Sequence, residues 1–95
     1  MKITEIRIQL IRHSKTKLRA FAEITLDGQL VIKDFQIFQS DRGPWVGMPS
    51  RKMPDGNWRE LVFPISTELQ ETISGTILRA YQDEISRPEN HLHQV

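Results

Sequence analysis

The sequence predicts an α+β fold: a single antiparallel sheet of about five strands, with one C-terminal helix packed on one face. Apolar residues occupy alternate positions from Ile6 to Leu10 and from Leu18 to Leu26, which is the two-residue period of a strand. Asp27-Gly28 then separates two such runs, as in a tight hairpin. From Leu69 to Ile85 the apolar spacing changes to three and four residues, which indicates an amphipathic helix.

The chain has 95 residues and no cysteine, which fits one domain held by packing and backbone pairing, without disulfides or thiolate metal sites. We place this domain at residues 1–87 and expect 88–95 to be a short polar tail, because Pro88 should stop the helix. Charges interrupt every apolar run, so neither a secretory segment nor a membrane span is predicted. We expect a cytoplasmic protein.

The formal net charge is only +1, but the charge is unevenly distributed. Residues 1–19 contain six lysines and arginines against one acid, Glu5, whereas residues 66–95 contain two arginines against five acids. A polyanion would therefore meet the first segment and avoid the last.

A two-residue turn at Asp27-Gly28 would pair Leu26 with Gln29, Ile24 with Val31 and Ala20 with Phe35. The opposite face of this hairpin would then carry four apolar side chains, those of Phe21, Leu30, Ile32 and Phe38. One helix covers only one face of a sheet. The uncovered apolar face therefore predicts self-association, as a homodimer.

Shorter elements follow. Trp45 to Met48 predict a fourth strand, and Trp58, Leu61 and Phe63 predict a fifth that Pro64 closes. Between them, Pro54-Asp55-Gly56 fits positions i+1 to i+3 of a type I turn in a projecting loop. Ser66 or Thr67 can cap the helix, and Thr67 with Gln70 fits a capping box.

The projecting loop is the first candidate site, because it places Arg51, Lys52 and Arg59 around a proline-stiffened hairpin end. Arginine and lysine donate charge-assisted hydrogen bonds to phosphates, and a two-stranded ribbon fits a DNA major groove. The alternative is an ordinary solvated loop. Lys15 and Lys17, in the polar segment between the first two strands, form a second basic candidate, with the same alternative.

No catalytic site, cofactor site or small-molecule site is visible in the sequence. His13, His91 and His93 have no supporting carboxylate or cysteine cluster, so no metal site is predicted. Trp45 and Tyr81 lie on apolar stretches and are assigned to the core. Only Trp58, beside Arg59, is a candidate for stacking on a base.

The stretch Met48-Pro49-Ser50-Arg51-Lys52-Met53-Pro54-Asp55-Gly56, continuing through Arg59 to Pro64-Ile65, resembles the SpoVG septation-protein family. Ala22 to Asp27 and Val31 to Asp34 contribute to this resemblance, which extends from residue 1 to about residue 85. The resemblance implies a dimeric, non-catalytic α+β protein that binds DNA, and in some members RNA, and regulates septation, sporulation or virulence genes.

The resemblance assigns the basic positions of the motif to Arg51, Lys52 and Arg59. The order here is Arg-Lys where the family usually has Lys-Arg, and only arginine offers a bidentate fork. Phe63 stands where a histidine is common, and the family's acidic tail is reduced to a few residues.

Two hypotheses follow. The first is a DNA- or RNA-binding regulator that gains its affinity mainly from phosphate contacts. The second is a protein-interaction module that docks a partner on the apolar sheet, with a basic loop that only solubilises the chain.

Overall fold

The computed structural model describes residues 1–87, and within them an antiparallel four-stranded sheet, a separate two-stranded sheet and one long helix. In chain order the elements are β1 (Ile3–Leu10), β2 (Leu18–Leu26), β3 (Leu30–Ser40), β4 (Gly43–Gly47), β5 (Ser50–Lys52), β6 (Trp58–Glu60) and α1 (Thr67–Ile85). The four-stranded sheet has the order β1-β2-β3-β4. The predicted α+β class is confirmed, whereas the tail at 88–95 lies outside the described residues.

The core lies between α1 and one face of the four-stranded sheet, here called the inner face. Ile73, Ile77 and Tyr81 of α1 are buried against it, at the spacing that predicted the helix, so the core assignment of Tyr81 is confirmed. Ala20 and Ala22 are buried at the centre of the sheet, where small side chains leave room for the helix. Each fully buried apolar side chain contributes about 1.5–3 kcal/mol.

The N-terminus of α1 is capped by Ser66, whose hydroxyl accepts a hydrogen bond from Leu69 N–H at 3.0 Å. Ser66 has an extended backbone, as an N-cap residue requires. Of the two predicted caps, Ser66 is therefore correct. Thr67 is already the first helical residue, so it does not form a capping box with Gln70.

The tight turn between β2 and β3 is confirmed, but the strand register is not. Asp27 and Gly28 have φ of 52° and 63°, and Gln29 N–H donates to Leu26 O at 2.9 Å. The ladder nevertheless starts with Leu26 opposite Leu30. Hydrogen bonds from Asp27 N–H to Lys2 O and from Gly28 N–H to Thr4 Oγ1 bend the turn toward β1, and Gln29 stays out of the ladder.

A β-bulge in β3 corrects a second expectation. Lys33 and Asp34 together lie opposite the single residue Glu23, and Asp34 adopts φ of 71°. The extra residue reverses the alternation, so Leu30 and Ile32 lie on the inner face with the buried side chains that follow the bulge, Phe35 and Ile37. The expected position of Leu30 and Ile32 on the opposite face is therefore wrong.

The predicted fifth strand also differs. β6 ends at Glu60 and pairs with β5, not with the four-stranded sheet. The chain then turns to the inner face, where Val62, Phe63 and Pro64 line an apolar cleft of about 200 Å³ beside the helix. Of the apolar residues that indicated a longer strand, Phe63 therefore lies beside the core, whereas Leu61 is 60% exposed and Trp58 stays on the hairpin.

Candidate nucleic-acid interface

The projecting loop is a β-hairpin formed by β5 and β6. Its turn is closed by Gly56 N–H donating to Met53 O at 2.9 Å and by Met53 N–H donating to Asn57 O at 2.7 Å. The carboxylate of Asp55 accepts Asn57 N–H at 2.9 Å, and Gly56 adopts φ of +90°, which favours glycine. The turn predicted from Pro54-Asp55-Gly56 is therefore present.

The pairing of β5 with β6 distributes the basic residues over both faces of the hairpin. Arg51 lies opposite Arg59, and Lys52 lies opposite Trp58. Directly opposed residues of an antiparallel pair project to the same side. Arg51 and Arg59 therefore share one face, and Lys52 shares the other with Trp58.

The three basic side chains of the hairpin are exposed and without ion-pair partners in the described part of the chain. Of the nearest acids in sequence, Asp55 accepts a hydrogen bond within the turn, and Glu60 projects from the face opposite to Arg51 and Arg59, which is the face of Lys52. At the base of the hairpin, Pro49 O accepts Leu61 N–H at 2.7 Å, next to the buried Met48. The hairpin thus starts at a buried residue and carries its three basic side chains in solvent.

Lys15 and Lys17 are exposed but lie at the other end of β4. Lys17 O accepts Gln39 N–H at 2.8 Å, and Gln39 pairs with Pro44 at the start of β4. The hairpin follows the end of β4, so this five-residue strand separates the two basic regions by about 15 Å. The structure does not bring them together, and a role for Lys15 and Lys17 stays a prediction.

A groove that we call the aromatic groove lies between the hairpin and the outer face of the sheet, the face opposite to α1. Its volume is about 450 Å³. Trp45 stacks on Phe38 with ring centroids 4.5 Å apart and planes 22° from parallel, and Trp58 of β6 contributes a second indole. The lining also includes polar side chains, those of Gln36, Ser50 and Glu60.

Trp45 is the site residue that the sequence interpretation misassigned, because it is 48% exposed and lies outside the core. Its neighbour Val46 packs against the core, so the alternation along β4 places Trp45 on the outer face. That alternation was visible in the sequence, but which face the helix covers was not. Trp58, at 63% exposure, remains available for contact as expected.

The structure of residues 1–87 also bears on metal sites and membrane spans. No group of three or more histidine, aspartate or glutamate side chains there is arranged to hold a metal ion. His91 and His93 lie outside the described residues. No helix in the described part is long and apolar enough to cross a membrane. Fold and surface together define a small α+β protein with a projecting cationic hairpin.

The chain is also similar to known proteins in its sequence. The SpoVG family model matches residues 1–83. A protein of Clostridium beijerinckii is 37% identical over 86 residues, covering 90% of this chain and 93% of its own. One of Onion yellows phytoplasma is 36% identical over 88 residues, covering 93% and 88%, and one of Archaeoglobus fulgidus is 34% identical over 83 residues, covering 87% and 96%.

All three relatives carry the name "Putative septation protein SpoVG". The family match covers most of the chain, and each relative is aligned over most of both sequences. The chain therefore belongs to the SpoVG family, and the resemblance seen in the Met48–Arg59 motif is confirmed.

Proposed function

We propose that this chain is a nucleic-acid-binding regulator that acts in septation and sporulation, in the cytoplasm, by gripping phosphates with the β5–β6 hairpin. The septation role rests on the names of its relatives. In this proposal the chain acts by binding DNA, or RNA, and carries out no catalytic step. Arg51, Lys52 and Arg59 supply the contacts, and Lys15 and Lys17 assist from the other end of β4.

The observation that carries the proposal is the exposed, unpaired state of the three hairpin cations. Basic side chains on a protein surface commonly have acidic neighbours, which weaken their attraction for a polyanion. Here Arg51 and Arg59 face each other instead. Their charges add on one face of the hairpin, at a point that projects beyond the core.

The shape of the hairpin supports the same proposal. It is two strands wide, and a DNA major groove, about 12 Å across, admits a two-stranded ribbon. Proline residues on both sides of β5 stiffen the entry to the hairpin and its turn, which lowers the entropy lost on binding. Arg51, with its guanidinium fork, is the hairpin residue of β5 suited to a guanine edge.

We also propose that the chain is a homodimer. The exposed apolar surface that supports this proposal is not the face of β3 expected from the sequence but the segment that follows β6. Leu61, Phe63 and Ile65 are 60%, 57% and 97% exposed within five residues. A cluster of this kind is unusual on a monomer, and a second copy would remove it from water.

The exposed segment 61–65 also favours a second candidate function, a protein-interaction module in which a different protein covers the segment. In that case the hairpin cations only solubilise the chain. The two functions respond differently to salt, because phosphate contacts release counterions whereas an apolar interface does not.

A salt titration of binding to a labelled DNA duplex, and to RNA of the same sequence, tests the proposal. In Arg51→Ala/Lys52→Ala, the slope of log affinity against log salt should become shallower by about 0.9 per lost contact, or roughly 3 to 4 units if both chains of a dimer engage. The matched single variants Arg51→Ala and Arg79→Ala remove the same charge from the hairpin and from the exposed side of α1.

Arg51→Ala should weaken binding, and Arg79→Ala should leave it nearly unchanged. The hairpin cations lie outside the core, so neither variant should lower the melting temperature. A folded Arg51→Ala/Lys52→Ala protein with the original affinity and salt slope would contradict the proposal and favour the protein-interaction module.

A further inference from the structure

The aromatic groove is lined by two large, exposed indole side chains. Trp45 is 48% and Trp58 is 63% exposed, although each could bury far more area in a core. They are the only tryptophans of the chain, and both line this groove. The lining is mostly apolar, so the fold leaves a flat, hydrophobic surface open to water beside a cationic hairpin.

The floor of the groove contains a stacked ring pair. Trp45 stacks on Phe38 across the β3–β4 ladder, which fixes the orientation of its ring. Gly47 keeps the space beside these rings open: a Cβ atom there would lie 3.0 Å from the Phe38 ring and 3.8 Å from the Trp45 ring. An ordered ring pair presents a stacking surface at low entropic cost.

The rim of the groove is polar and carries a cation. The side chains of Gln36, Ser50 and Glu60 line it and offer an amide, a hydroxyl and a carboxylate. Such groups hydrogen-bond the edges of nucleobases, and a carboxylate accepts from an exocyclic amine. Lys52 lies directly opposite Trp58 on the groove side of the hairpin, in position for a backbone phosphate.

We infer that the aromatic groove binds an unpaired nucleobase of single-stranded DNA or RNA, stacked on Trp45 and Trp58, with its phosphate held by Lys52. Aromatic faces, polar edge partners and a neighbouring cation match the three parts of a nucleotide. A base within a duplex has both faces covered by its neighbours and cannot enter. The groove volume of about 450 Å³ is within the usual range for a small-molecule site.

This inference rests on the proposed function and deepens it, because it adds a second mode of contact on the other face of the same hairpin. Arg51 and Arg59 face away from the groove. The two arginines would bind a phosphate backbone, and the groove would bind a base, so the two contacts use different residues. Each contact can therefore be removed by its own substitutions.

The test titrates the full chain with single-stranded homopolymers of about 10 nucleotides, dA, dT and rA, and with a blunt duplex, and follows tryptophan fluorescence and anisotropy. The single strands should quench the fluorescence and the duplex should not. Trp45→Phe and Trp58→Phe each leave one indole, so they assign the quenching to one wall while a stacking ring is retained.

Trp58→Ala should weaken single-strand binding by about 5- to 150-fold and leave duplex binding unchanged. Trp58→Phe should restore most of the affinity. Val31→Ala trims an apolar side chain that is as exposed as Trp45 but lies outside the groove, and single-strand affinity should not change. Trp58 lies on the hairpin outside the core, so the variants should fold.

Unchanged single-strand affinity in Trp58→Ala and Trp45→Ala, or equal quenching by the duplex, would overturn the inference. If binding in those variants still falls with Arg51→Ala/Arg59→Ala, the phosphate-binding function stands and only the base site fails. If the tryptophan variants lose binding and the Arg51→Ala/Arg59→Ala variant does not, the base site stands and the proposed phosphate contacts of the two arginines fail.

Discussion

Arg51 and Arg59 lie directly opposite each other in the β5–β6 ladder, so two guanidinium groups project from the same face of a two-stranded hairpin. Like charges in directly opposed positions destabilise an antiparallel pair, by an amount comparable to the 0.2–1 kcal/mol that opposite charges contribute. The hairpin thus gives up some stability for a concentrated positive charge, which is the arrangement expected where a polyanion binds.

Arg59→Glu should separate stability from binding. A carboxylate opposite Arg51 replaces repulsion by attraction, so the free energy of unfolding should stay the same or rise by up to about 1 kcal/mol. DNA binding should be largely lost, because each hairpin changes by two units of charge. Thermal denaturation and anisotropy measure the two effects. Arg59→Gln, which removes charge without creating a pair, is the control; a melting temperature lower in Arg59→Glu than in Arg59→Gln would contradict the cross-strand repulsion.

Ile77→Asp should unfold the chain or lower its stability by more than about 3 kcal/mol, because Ile77 is fully buried against the sheet and a carboxylate there has no partner. Chemical denaturation followed by circular dichroism measures the effect. Gly75→Asp places the same side chain two residues away at an exposed position with no atom near the new Cβ, and it should not lower stability. Equal effects in the two variants would contradict the position of α1.

Gly28→Val should destabilise the β2–β3 turn by about 1–2 kcal/mol, because φ of 63° brings a β-branched side chain into a disfavoured region. No atom lies within 4 Å of the position that a Cβ would take, so the cost is conformational and not a clash. Gly28→Asn should therefore cost much less, since asparagine tolerates this region. Equal melting temperatures for the valine and asparagine variants would argue against this explanation.

Asp34→Gly should stabilise the chain by about 0.5–1 kcal/mol or leave it unchanged, although glycine usually weakens a strand. Asp34 has φ of 71° at the bulge, where glycine is free of steric penalty. The same substitution at Glu23, which is opposite the bulge on a regular strand, should be destabilising. Urea denaturation of the two variants measures the difference, and a loss of stability in Asp34→Gly as large as in Glu23→Gly would exclude a strained bulge.

The strands of the four-stranded sheet, the turn at Asp27-Gly28 and the helix could be predicted because each depends on a local period or a local turn preference. The register between β2 and β3 could not be predicted. Alternation gives the face of a residue only until the next irregularity, and the single extra residue at Asp34 moves Leu30 and Ile32 to the inner face. Aspartate is among the few residues that adopt positive φ, but Lys33-Asp34 alone does not distinguish a bulge from a continuous strand.

For the candidate site, the sequence motif identified the basic residues, and the structure shows which face of the hairpin each of them occupies. Arg51 and Lys52 are adjacent in the sequence and Arg59 follows seven residues later, yet the ladder places Lys52 on the face opposite to the two arginines. Trp45 was assigned to the core because an apolar strand has two possible buried faces. Because α1 covers the inner face, the side chain of Trp45 on the outer face stays exposed in the groove with Trp58.

The hairpin shares no ladder with the four-stranded sheet, which has a consequence for its motion. A two-stranded ribbon alone is only marginally stable in water, so β5 and β6 should open while the sheet beneath Ile77 stays closed. In native-state hydrogen exchange, the amides of Arg51 and Arg59 should exchange through this local opening, faster than those of β2. If the hairpin binds DNA as proposed, the same compliance would let the ribbon adapt to grooves of different width, because bending it does not disturb the packing of the core.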